Sequence, residues 1–404
     1  MRRFLLGAVA ALALGPSSAG ARQRPAAAPR GWDGFAQAVN AFAARDSIVG
    51  AGAVLVQDGR VTARHLRGLA DRELRQAVDE RTIHHWASIT KTLTAVAIMQ
   101  LRDRGLLSLD DRIVTYLPEL RQVHAPEGAS IGDITLRMLL SHSSGFQDGT
   151  WPYGRGRSWE PFEPTRWEQL VAMMPYQELR FRPGSRYGYS NPAFIYLARV
   201  IEIVTGDPYQ SYIYKNVWAP LGMTHSYFGV TPWHLAAERG NSYRLRRDST
   251  GRELAVPIGR EFDPGVTIPN GGWNAPLADV ATWASFLMGA GGDSARARRY
   301  DGVLSRASIA EMWRPVVPLV EGEYGGSGAG SESMGLSFFL RGSGDALRVW
   351  HTGEQAGFRS LMLLDPRDRT AVIVVFNTTN GVRGEESQEG FEGVIRSALA
   401  LLDG

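Results

Sequence analysis

Residues 48–71 read IVGAGAVLVQDGRVTARHLRGLAD, and this stretch decides which class of fold the chain can adopt. It contains two β-rich runs joined by Asp58 and Gly59, a dipeptide that favours a two-residue hairpin turn. The stretch therefore predicts that the chain opens with a pair of antiparallel strands.

The same pattern returns near the other end of the chain. A last helix is predicted from Gly390 to Leu402, and residues 105–300 are mostly helical in pattern. Strands at both ends with helices between them predict an α/β (α+β) fold, with one antiparallel sheet built from both chain ends, flanking helices and an inserted, mainly helical subdomain. The C-terminal β-rich runs are ALRVWHTG at 346–353, FRSLMLLD at 358–365 and TAVIVVFN at 370–377.

The N-terminus has the features of a secretory signal peptide. Arg2 and Arg3 precede an apolar run from Phe4 to Leu14, and small residues follow up to Ala21. The apolar run is shorter than the roughly 20 residues that a membrane span requires. We therefore expect cleavage after Ala21, no membrane span in the mature chain, and an exported protein that is periplasmic or secreted.

The predicted organisation is a single domain behind this leader. At 404 residues with 44% hydrophobic residues, the chain can bury one large core. The predicted parts are a signal peptide at 1–21, a Pro/Ala-rich linker at 22–31 and one domain at 32–404, with its sheet subdomain at about 32–85 and 300–404 and its helical subdomain at about 86–299.

Composition excludes several kinds of function. The 44 basic and 41 acidic residues are dispersed, so no basic stripe indicates nucleic-acid binding. The absence of cysteine excludes thiol catalysis and Cys-ligated zinc, and the eight histidines include no HExxH spacing. We therefore expect no metal or other cofactor, and a small-molecule or peptide substrate as the partner. The sequence does not indicate the oligomeric state.

The stretch HHWASITKTLTAVAIMQL at 84–101 predicts a largely buried helix that begins at Ser88. It holds Lys91, and Lys215 is the only other lysine in a chain of 44 basic residues. Ser88 and Lys91 are one turn apart on one helix face, so a neutral lysine amine could take the serine proton. The alternative is an ordinary cap at Ser88 and a solvated cation at Lys91.

A second candidate cluster is SRYGYSNPAF at 185–194. Asn191 followed by Pro192 is a standard helix start, and that alone explains both residues. It does not explain Tyr189, whose phenol could pass a proton to a leaving group. The Asn191 amide could also hold a substrate carbonyl and hydrogen-bond Lys91.

The third candidate is VWHTGEQAGF at 349–358, where a predicted strand ends at His351, Thr352 and Gly353. A lone histidine at a strand end is more often structural. Functionally, Gly353 would let a substrate backbone lie beside the strand, and the N–H of Glu354 could bind an oxyanion. Two long loops, at 147–164 and 263–276, are rich in aromatic residues and glycine and predict the wall of a site.

Taken in order, SxxK, YxN and HTG resemble the motifs of the penicillin-recognising serine hydrolases, the group of class C β-lactamases, DD-carboxypeptidases, D-aminopeptidases and related esterases. The resemblance covers residues 32 to 400 and implies the β-lactamase/transpeptidase-like fold. Further similar stretches are ITLRMLLSHSSGF at 134–146, FRPGSRYGYSN at 181–191, PLGMTHSYF at 220–228 and GGWNAPLADVATWASFLM at 271–288.

The resemblance implies a covalent route in which Ser88 attacks an ester or amide carbonyl. It assigns proton transfer to Lys91 and Tyr189, with Ser88, Lys91 and Tyr189 as the catalytic residues. The same resemblance implies an oxyanion hole made by the N–H groups of Ser88 and Glu354. The implied substrate-binding residues are Asn191, His351, Thr352, Gly353 and Glu354.

Two residues depart from the pattern of class C β-lactamases. His351 stands where those enzymes carry a lysine, so a permanent cation for a substrate carboxylate is missing. An acid at Glu354 would weaken carboxylate binding further if its side chain faced the site. The expected function is therefore an exported serine hydrolase of DD-peptidase or esterase type, and a true class C β-lactamase is the alternative.

The sequence also allows two other interpretations. Residues 128–132, GASIG, fit the GxSxG pattern of α/β-hydrolases with Ser130 as nucleophile, although the polar stretch before them does not suit the buried strand that this motif follows. A non-catalytic relative could also keep the fold and bind peptidoglycan fragments. A pure binding protein, however, has no need of a lysine that can lose its proton.

Overall fold

The structure is a computed structural model that describes residues 29–146, 164–261, 263–319, 332–355 and 357–404. The expected signal peptide lies outside the described residues. So do most of the expected linker and nearly all of the loop at 147–164.

The largest sheet among the described residues has nine antiparallel strands and is built from both ends of the chain, as the sequence predicted. The strands are, in spatial order, β3 (Gln76–Ala77), β2 (Arg60–Asp71), β1 (Gly50–Gln57), β14 (Thr370–Phe376), β13 (Phe358–Asp365), β12 (Arg348–Gln355), β11 (Phe339–Arg341), β10 (Glu332–Met334) and β9 (Val317–Pro318). The N-terminal hairpin joins the C-terminal strands where β1 pairs with β14.

The prediction that the chain opens with strands is wrong, because helix α1 (Trp32–Arg45) precedes β1. Trp32, Phe35, Val39 and Phe42 recur at helical spacing and form one apolar face. That face packs, together with the last helix α13 (Glu385–Leu402), on one side of the sheet. The predicted C-terminal helix is therefore confirmed, but it begins five residues earlier.

Both faces of the sheet are buried. Along β14, Val374 and Phe376 contact the layer of α1 and α13, whereas Ile373 and Val375 face the helical part of the molecule. A strand buried on both faces reads as an unbroken apolar run, which explains the sequence TAVIVVF.

Most of the remaining helices lie on the second face, and no helix among the described residues is long and apolar enough to cross a bilayer. They are α2 (Thr90–Asp103), α3 (Ile113–Tyr116), α4 (Leu136–Leu140), α5 (Trp167–Met173), α6 (Asn191–Thr205), α7 (Tyr209–Ile213), α8 (Ala219–Leu221), α9 (Ile268–Gly271), α10 (Leu277–Met288), α11 (Ser294–Val303) and α12 (Arg306–Met312).

Helix α2 is the central helix, and every side chain from Thr90 to Leu101 is buried. Its polar side chains have partners: the Thr92 hydroxyl donates to the Ile89 carbonyl, and Thr94 donates to the carbonyl of Pro269. A helix that is buried all round is held in place by its neighbours on every side. Groups at its N-terminus are therefore fixed in position.

Two small sheets complete the fold. One sheet has the order β4 (Ile83–His85), β8 (Trp273–Pro276) and β5 (Tyr227–Phe228), so β4 pairs with β8 and lies outside the large sheet. The other has the order β15 (Thr378–Thr379), β6 (Ser242–Arg247) and β7 (Glu253–Gly259). The first sheet fastens the start of α2 to the segment that follows α9.

Candidate active site

Ser88 lies in a tight turn between β4 and α2, within a single turn of 3₁₀ helix at Ala87–Ile89. Ala87 has a φ of 48°, a left-handed conformation that is uncommon for a residue with a side chain. Trp86 holds the turn, because its backbone N–H donates to the Trp273 carbonyl at 2.8 Å and its indole N–H donates to the Ala275 carbonyl at 2.9 Å. The turn therefore presents Ser88 at the N-terminus of a fixed helix.

Lys91 lies one turn further along and is completely buried. Its Nζ donates to Ser88 Oγ at 3.0 Å and to the backbone carbonyl of Asn270 at 2.8 Å. Both of these acceptors are uncharged. The pair has the separation that direct proton transfer from serine to an amine requires.

Tyr189 and two histidines surround the same lysine. The Lys91 Nζ lies 4.9 Å from the centroid of the Tyr189 ring. The His142 ring stacks on the Tyr189 ring, with the centroids 4.3 Å apart and an interplanar angle of 26°. The centroid of the His351 ring lies 6.4 Å from that of Tyr189. Three segments that are distant in the sequence thus meet around one amine.

Asn191 is the first residue of α6, and Ser190 is its cap, because Ser190 Oγ accepts the backbone N–H of Ala193 at 3.2 Å. The helix therefore starts at Asn191 and Pro192, as the sequence predicted, and the capping side chain is that of Ser190. Because Ser190 satisfies the helix end, the Asn191 amide can serve another purpose. Its Oδ1 accepts a hydrogen bond of 3.3 Å from Nδ2 of Asn270.

The strand β12 brings the third motif beside the Ser88 turn. A Cβ on Gly353 would lie 2.3 Å from the Trp86 carbonyl oxygen and 2.6 Å from Ser360 Oγ. The glycine is thus required by packing against the protein's own turn, a reason that the sequence analysis did not give. Pairing between β11 and β12 ends at Trp350, so among the described strands the edge from His351 onward has no strand neighbour on that side.

His351 is fully buried and uncharged. Burial, and then the nearby Lys91 ammonium if it is charged, lower its pKa to about 3. Its Nδ1 donates to the Thr352 carbonyl at 2.6 Å, whereas its Nε2 has no hydrogen-bond partner among the described residues. At neutral pH the residue therefore offers a neutral ring and no cation.

Thr352 and Glu354 point to the opposite face of the sheet. In β13 they pair with Leu361 and Arg359, and Leu361 belongs to the apolar layer of α1 and α13. Glu354 Oε2 accepts a hydrogen bond of 2.7 Å from Nε of Arg359. The acid that was expected to weaken carboxylate binding is thus neutralised by an arginine on the far face, and only the backbone of these two residues can face the site.

Comparison with known proteins identifies the family. The Beta-lactamase family profile matches residues 35–393. The chain belongs to the β-lactamase family. It is 33% identical over 251 residues to "Esterase EstB" of Burkholderia gladioli, an alignment that covers 56% of this chain and 61% of that protein.

Two solved structures share the β-lactamase-family fold with this chain. "Structure of the octameric penicillin-binding protein homologue from Pyrococcus abyssi" has a TM-score of 0.70 and 23% identity, covering 92% of this chain and 76% of that one. "Crystal Structure of D-alanine Carboxypeptidase AmpC from Burkholderia cenocepacia" has a TM-score of 0.68 and 18% identity, covering 92% and 98%. The predicted fold class is confirmed.

The chain spans less than two thirds of the length of several curated relatives that it matches. The alignments cover 61% of Esterase EstB, 41% of the "Putative penicillin-binding protein PbpX" of Bacillus subtilis and 60% of the "Protein flp" of Staphylococcus aureus.

Two residues of this site were not predicted from the sequence. Asn270 contacts Lys91 through its carbonyl and Asn191 through its amide, and it is 5% exposed. It lies in the loop at 263–276 that was predicted to form a wall, but nothing in the loop's composition singled it out. His142 is the other, and its position inside the family-like stretch at 134–146 was the available signal.

The alternative nucleophile has a structural role. Ser130 Oγ accepts the backbone N–H of Gly132 at 3.0 Å and caps a short turn at Ile131–Asp133. In the part of the chain that the structure describes, no strand leads into this turn, although the GxSxG motif would require one. Among the described residues, no cluster of three acidic or histidine side chains could hold a metal ion.

His84 and His85 are buried beside the Ser88 turn. His85 Nδ1 contacts Asn274 Oδ1 at 3.0 Å, and His85 Nε2 lies 3.4 Å from Gln355 Oε1. Neither ring nitrogen of His84 has a hydrogen-bond partner among the described residues, and its ring lies edge-on to Phe358 at 6.2 Å. Both histidines pack beside the turn that carries Ser88.

We predict that Gly353→Ala destabilises the protein by about 1–3 kcal/mol, because the new Cβ must displace the Trp86 carbonyl or the strand. The measurement is the free energy of unfolding in urea. Gly34→Ala is the matched control, because a Cβ at this position in α1 meets no atom within 4 Å and alanine favours a helix. Equal stability of Gly353→Ala and the parent would contradict the close approach.

We also predict that His84→Phe makes stability less dependent on pH. Burial lowers the pKa of His84 to about 3, so the unfolded chain binds more protons than the folded chain below about pH 6.5. Stability therefore falls as the pH drops from about 6.5 towards 3. Between pH 8 and pH 5, the free energy of unfolding of His84→Phe should therefore fall by about 2 kcal/mol less than that of the parent protein.

The control for this second prediction is His124→Gln, which removes an exposed histidine. It should lose as much stability between pH 8 and pH 5 as the parent protein. If His84→Phe lost equally much, the buried His84 would not titrate in the way that its surroundings dictate.

Proposed function

We propose that this chain is a serine hydrolase that cleaves an ester or amide through an acyl-enzyme on Ser88. The observation that carries this proposal is the 3.0 Å hydrogen bond between Lys91 Nζ and Ser88 Oγ. A serine hydroxyl needs an adjacent base to act as nucleophile, and an uncharged lysine can supply it. The β-lactamase family includes relatives named as hydrolases, which supports the assignment.

In the acylation step, Ser88 Oγ forms a bond to the substrate carbonyl carbon while its proton moves to the Lys91 amine. The carbonyl oxygen becomes an oxyanion, and the backbone N–H groups of Ser88 and Glu354 would stabilise it. The bond to the leaving oxygen or nitrogen then breaks, and Tyr189 gives the leaving group a proton. Lys91 returns its proton to Tyr189.

Water completes the reaction by attacking the acyl carbon. A proton from that water passes to the Lys91 and Tyr189 pair, and Ser88 Oγ leaves as the hydroxyl. The products are a carboxylic acid and an alcohol or amine. Asn191 and the open edge of β12 at His351–Gly353 would hold the substrate in an extended conformation alongside the strand.

Uncharged esters are the substrate class that these residues support best. His351 is neutral at physiological pH, so it cannot provide the ionic contact that a substrate carboxylate would use. Both β-lactams and peptides ending in a free carboxylate carry such a group. A DD-peptidase activity, a class C β-lactamase activity and a non-catalytic peptidoglycan-binding role are therefore the alternatives.

The location that we propose is outside the cytoplasm, in the periplasm or secreted, because residues 1–21 have the pattern of a cleaved signal peptide. The proposed working unit is the single domain at 32–404, with its sheet and helical parts meeting at the site. We propose no cofactor, because the acid–base groups of the site carry the reaction by themselves.

The first test is labelling by a fluorophosphonate probe, followed by mapping of the modified peptide. The parent protein should be labelled on Ser88, and Ser88→Ala should not be labelled. Lys91→Arg keeps the charge but removes the base, so it should slow labelling by about 10²–10⁴-fold. Lys215→Arg is the control, because Lys215 is exposed and pairs with Asp207 at 2.7 Å.

Lys215→Arg should be labelled at the parent rate. A Lys91→Arg variant with the parent rate would contradict the role of Lys91. Absence of any label on the parent protein would favour the non-catalytic alternative.

The second test compares two phenyl esters that differ only in a carboxylate on the acyl chain, phenyl valerate and the monophenyl ester of glutaric acid. We expect kcat/KM to be at least about 10-fold higher for the uncharged ester, because the neutral His351 offers no charge-assisted hydrogen bond. A parallel measurement mixes the protein with benzylpenicillin and follows the covalent adduct by intact-protein mass spectrometry. A preference for the charged ester, or fast turnover of benzylpenicillin, would contradict the proposed class.

A further inference from the structure

His142 follows α4 and is completely buried, although it was not among the expected site residues. Its φ is 54°, in the left-handed region that few non-glycine residues adopt. Non-glycine residues in this region are strained and persist where the surroundings hold them. A strained, buried and polar residue next to a reaction centre calls for a physical explanation.

His142 makes three contacts with the segment that carries Tyr189. Its backbone carbonyl accepts the N–H of Gly188 at 2.8 Å, and its Nδ1 accepts the N–H of Ser190 at 3.0 Å. Its ring stacks on Tyr189 itself at 4.3 Å. One residue therefore holds the backbone on both sides of the tyrosine and the face of its ring.

The hydrogen bond from Ser190 fixes the state of the His142 ring. Because Nδ1 accepts a hydrogen bond, a neutral ring carries its proton on Nε2, which has no hydrogen-bond partner among the described residues. Burial, and then the charges that Lys91 on α2 and His351 on β12 can carry, hold the pKa of His142 well below its usual range. The ring thus remains an acceptor and a flat surface at neutral pH.

The contacts of Tyr189 leave its ring little freedom. Lys91 Nζ lies 4.9 Å from the ring centroid, and the His142 ring covers the ring at 4.3 Å. Displacement of a proton-transferring group by about 1 Å can cost 10²-fold in rate. The position of the phenol therefore depends on whatever prevents the ring from tilting.

We propose that His142 is a positioning residue that sets the Tyr189 phenol relative to Lys91 and Ser88. This inference rests on the proposed function and adds to it a residue that does not touch the substrate. His142 acts through two separable contacts, the acceptor at Nδ1 and the stacked ring. Each of these contacts can be removed without the other.

His142→Asn keeps the acceptor, because Asn Oδ1 occupies the place of His Nδ1, and asparagine tolerates a left-handed φ. It removes the stacked ring. His142→Phe keeps a ring of similar size and removes the acceptor. The two substitutions are therefore complementary probes of the same position.

The test is a double-mutant cycle of His142→Asn with Tyr189→Phe, measured as kcat and KM for phenyl butyrate. The phenolate leaving group of this ester is basic enough to need a proton. With Tyr189 present, His142→Asn should lower kcat by about 10–100-fold and leave KM within about 3-fold. In the Tyr189→Phe background the same substitution should lower kcat by less than about 3-fold.

An equal loss in the two backgrounds would overturn the inference, because His142 would then act on general structure and not through Tyr189. Parent-like kcat for His142→Asn would overturn it as well. Thermal unfolding of all four proteins shows whether each one is folded. If His142→Asn does not fold, His142→Phe replaces it in the cycle. The perturbation is then the loss of the Nδ1 acceptor for the Ser190 N–H, and the same criterion applies.

Failure of the proposed function would give a different result. A parent protein that neither hydrolyses phenyl butyrate nor reacts with a fluorophosphonate would remove the serine-hydrolase assignment, and the inference with it. A parent protein that is active and labelled on Ser88, combined with additive effects in the cycle, would remove the role of His142 alone.

Discussion

The complete burial of Lys91 is the constraint on which the rest of the site depends. A lysine amine without solvent must find its partners in the protein, and it finds the Ser88 hydroxyl and the Asn270 carbonyl. The serine contact requires that α2 begin at the Ser88 turn, and the carbonyl contact requires that α9 lie across that helix. The small sheet that joins β4 to β8 secures both, because it connects the two segments just outside the site.

The parts of the fold that follow from local pattern could be predicted from the sequence. The N-terminal hairpin and the C-terminal strands appear in the sequence as β-rich runs, and the helix after Ser88 has apolar residues at helical spacing. The structure has all of these elements. Helix α1 was overlooked, although Trp32, Phe35, Val39 and Phe42 have helical spacing. The pairing of β4 with β8 could not be predicted, because it joins short strands that lie nearly 200 residues apart.

The residues of the site also divide into those that the sequence could predict and those that it could not. Ser88 and Lys91 are close in sequence, so the spacing alone places them on one helix face, and the structure has them in hydrogen-bond contact. Asn270 reaches the lysine through its backbone carbonyl, a group that every residue has, so the sequence contains no signal for it. The side-chain directions of Thr352 and Glu354 depended on the register of β12 against β13, which also sends Glu354 to Arg359 on the far face.

Several unsatisfied polar atoms and two unusual backbone conformations lie around Lys91. Ala87 and His142 have left-handed backbones, and Nε2 of His142, Nε2 of His351 and Oδ1 of Asn270 are buried without hydrogen-bond partners among the described residues. Each of these features lowers stability, since a buried unpaired polar atom costs about 1–3 kcal/mol. Repacking this region with apolar residues would therefore increase stability. Such features beside a buried lysine and an open strand edge are expected where the arrangement serves a reaction, because functional sites retain groups that lower stability.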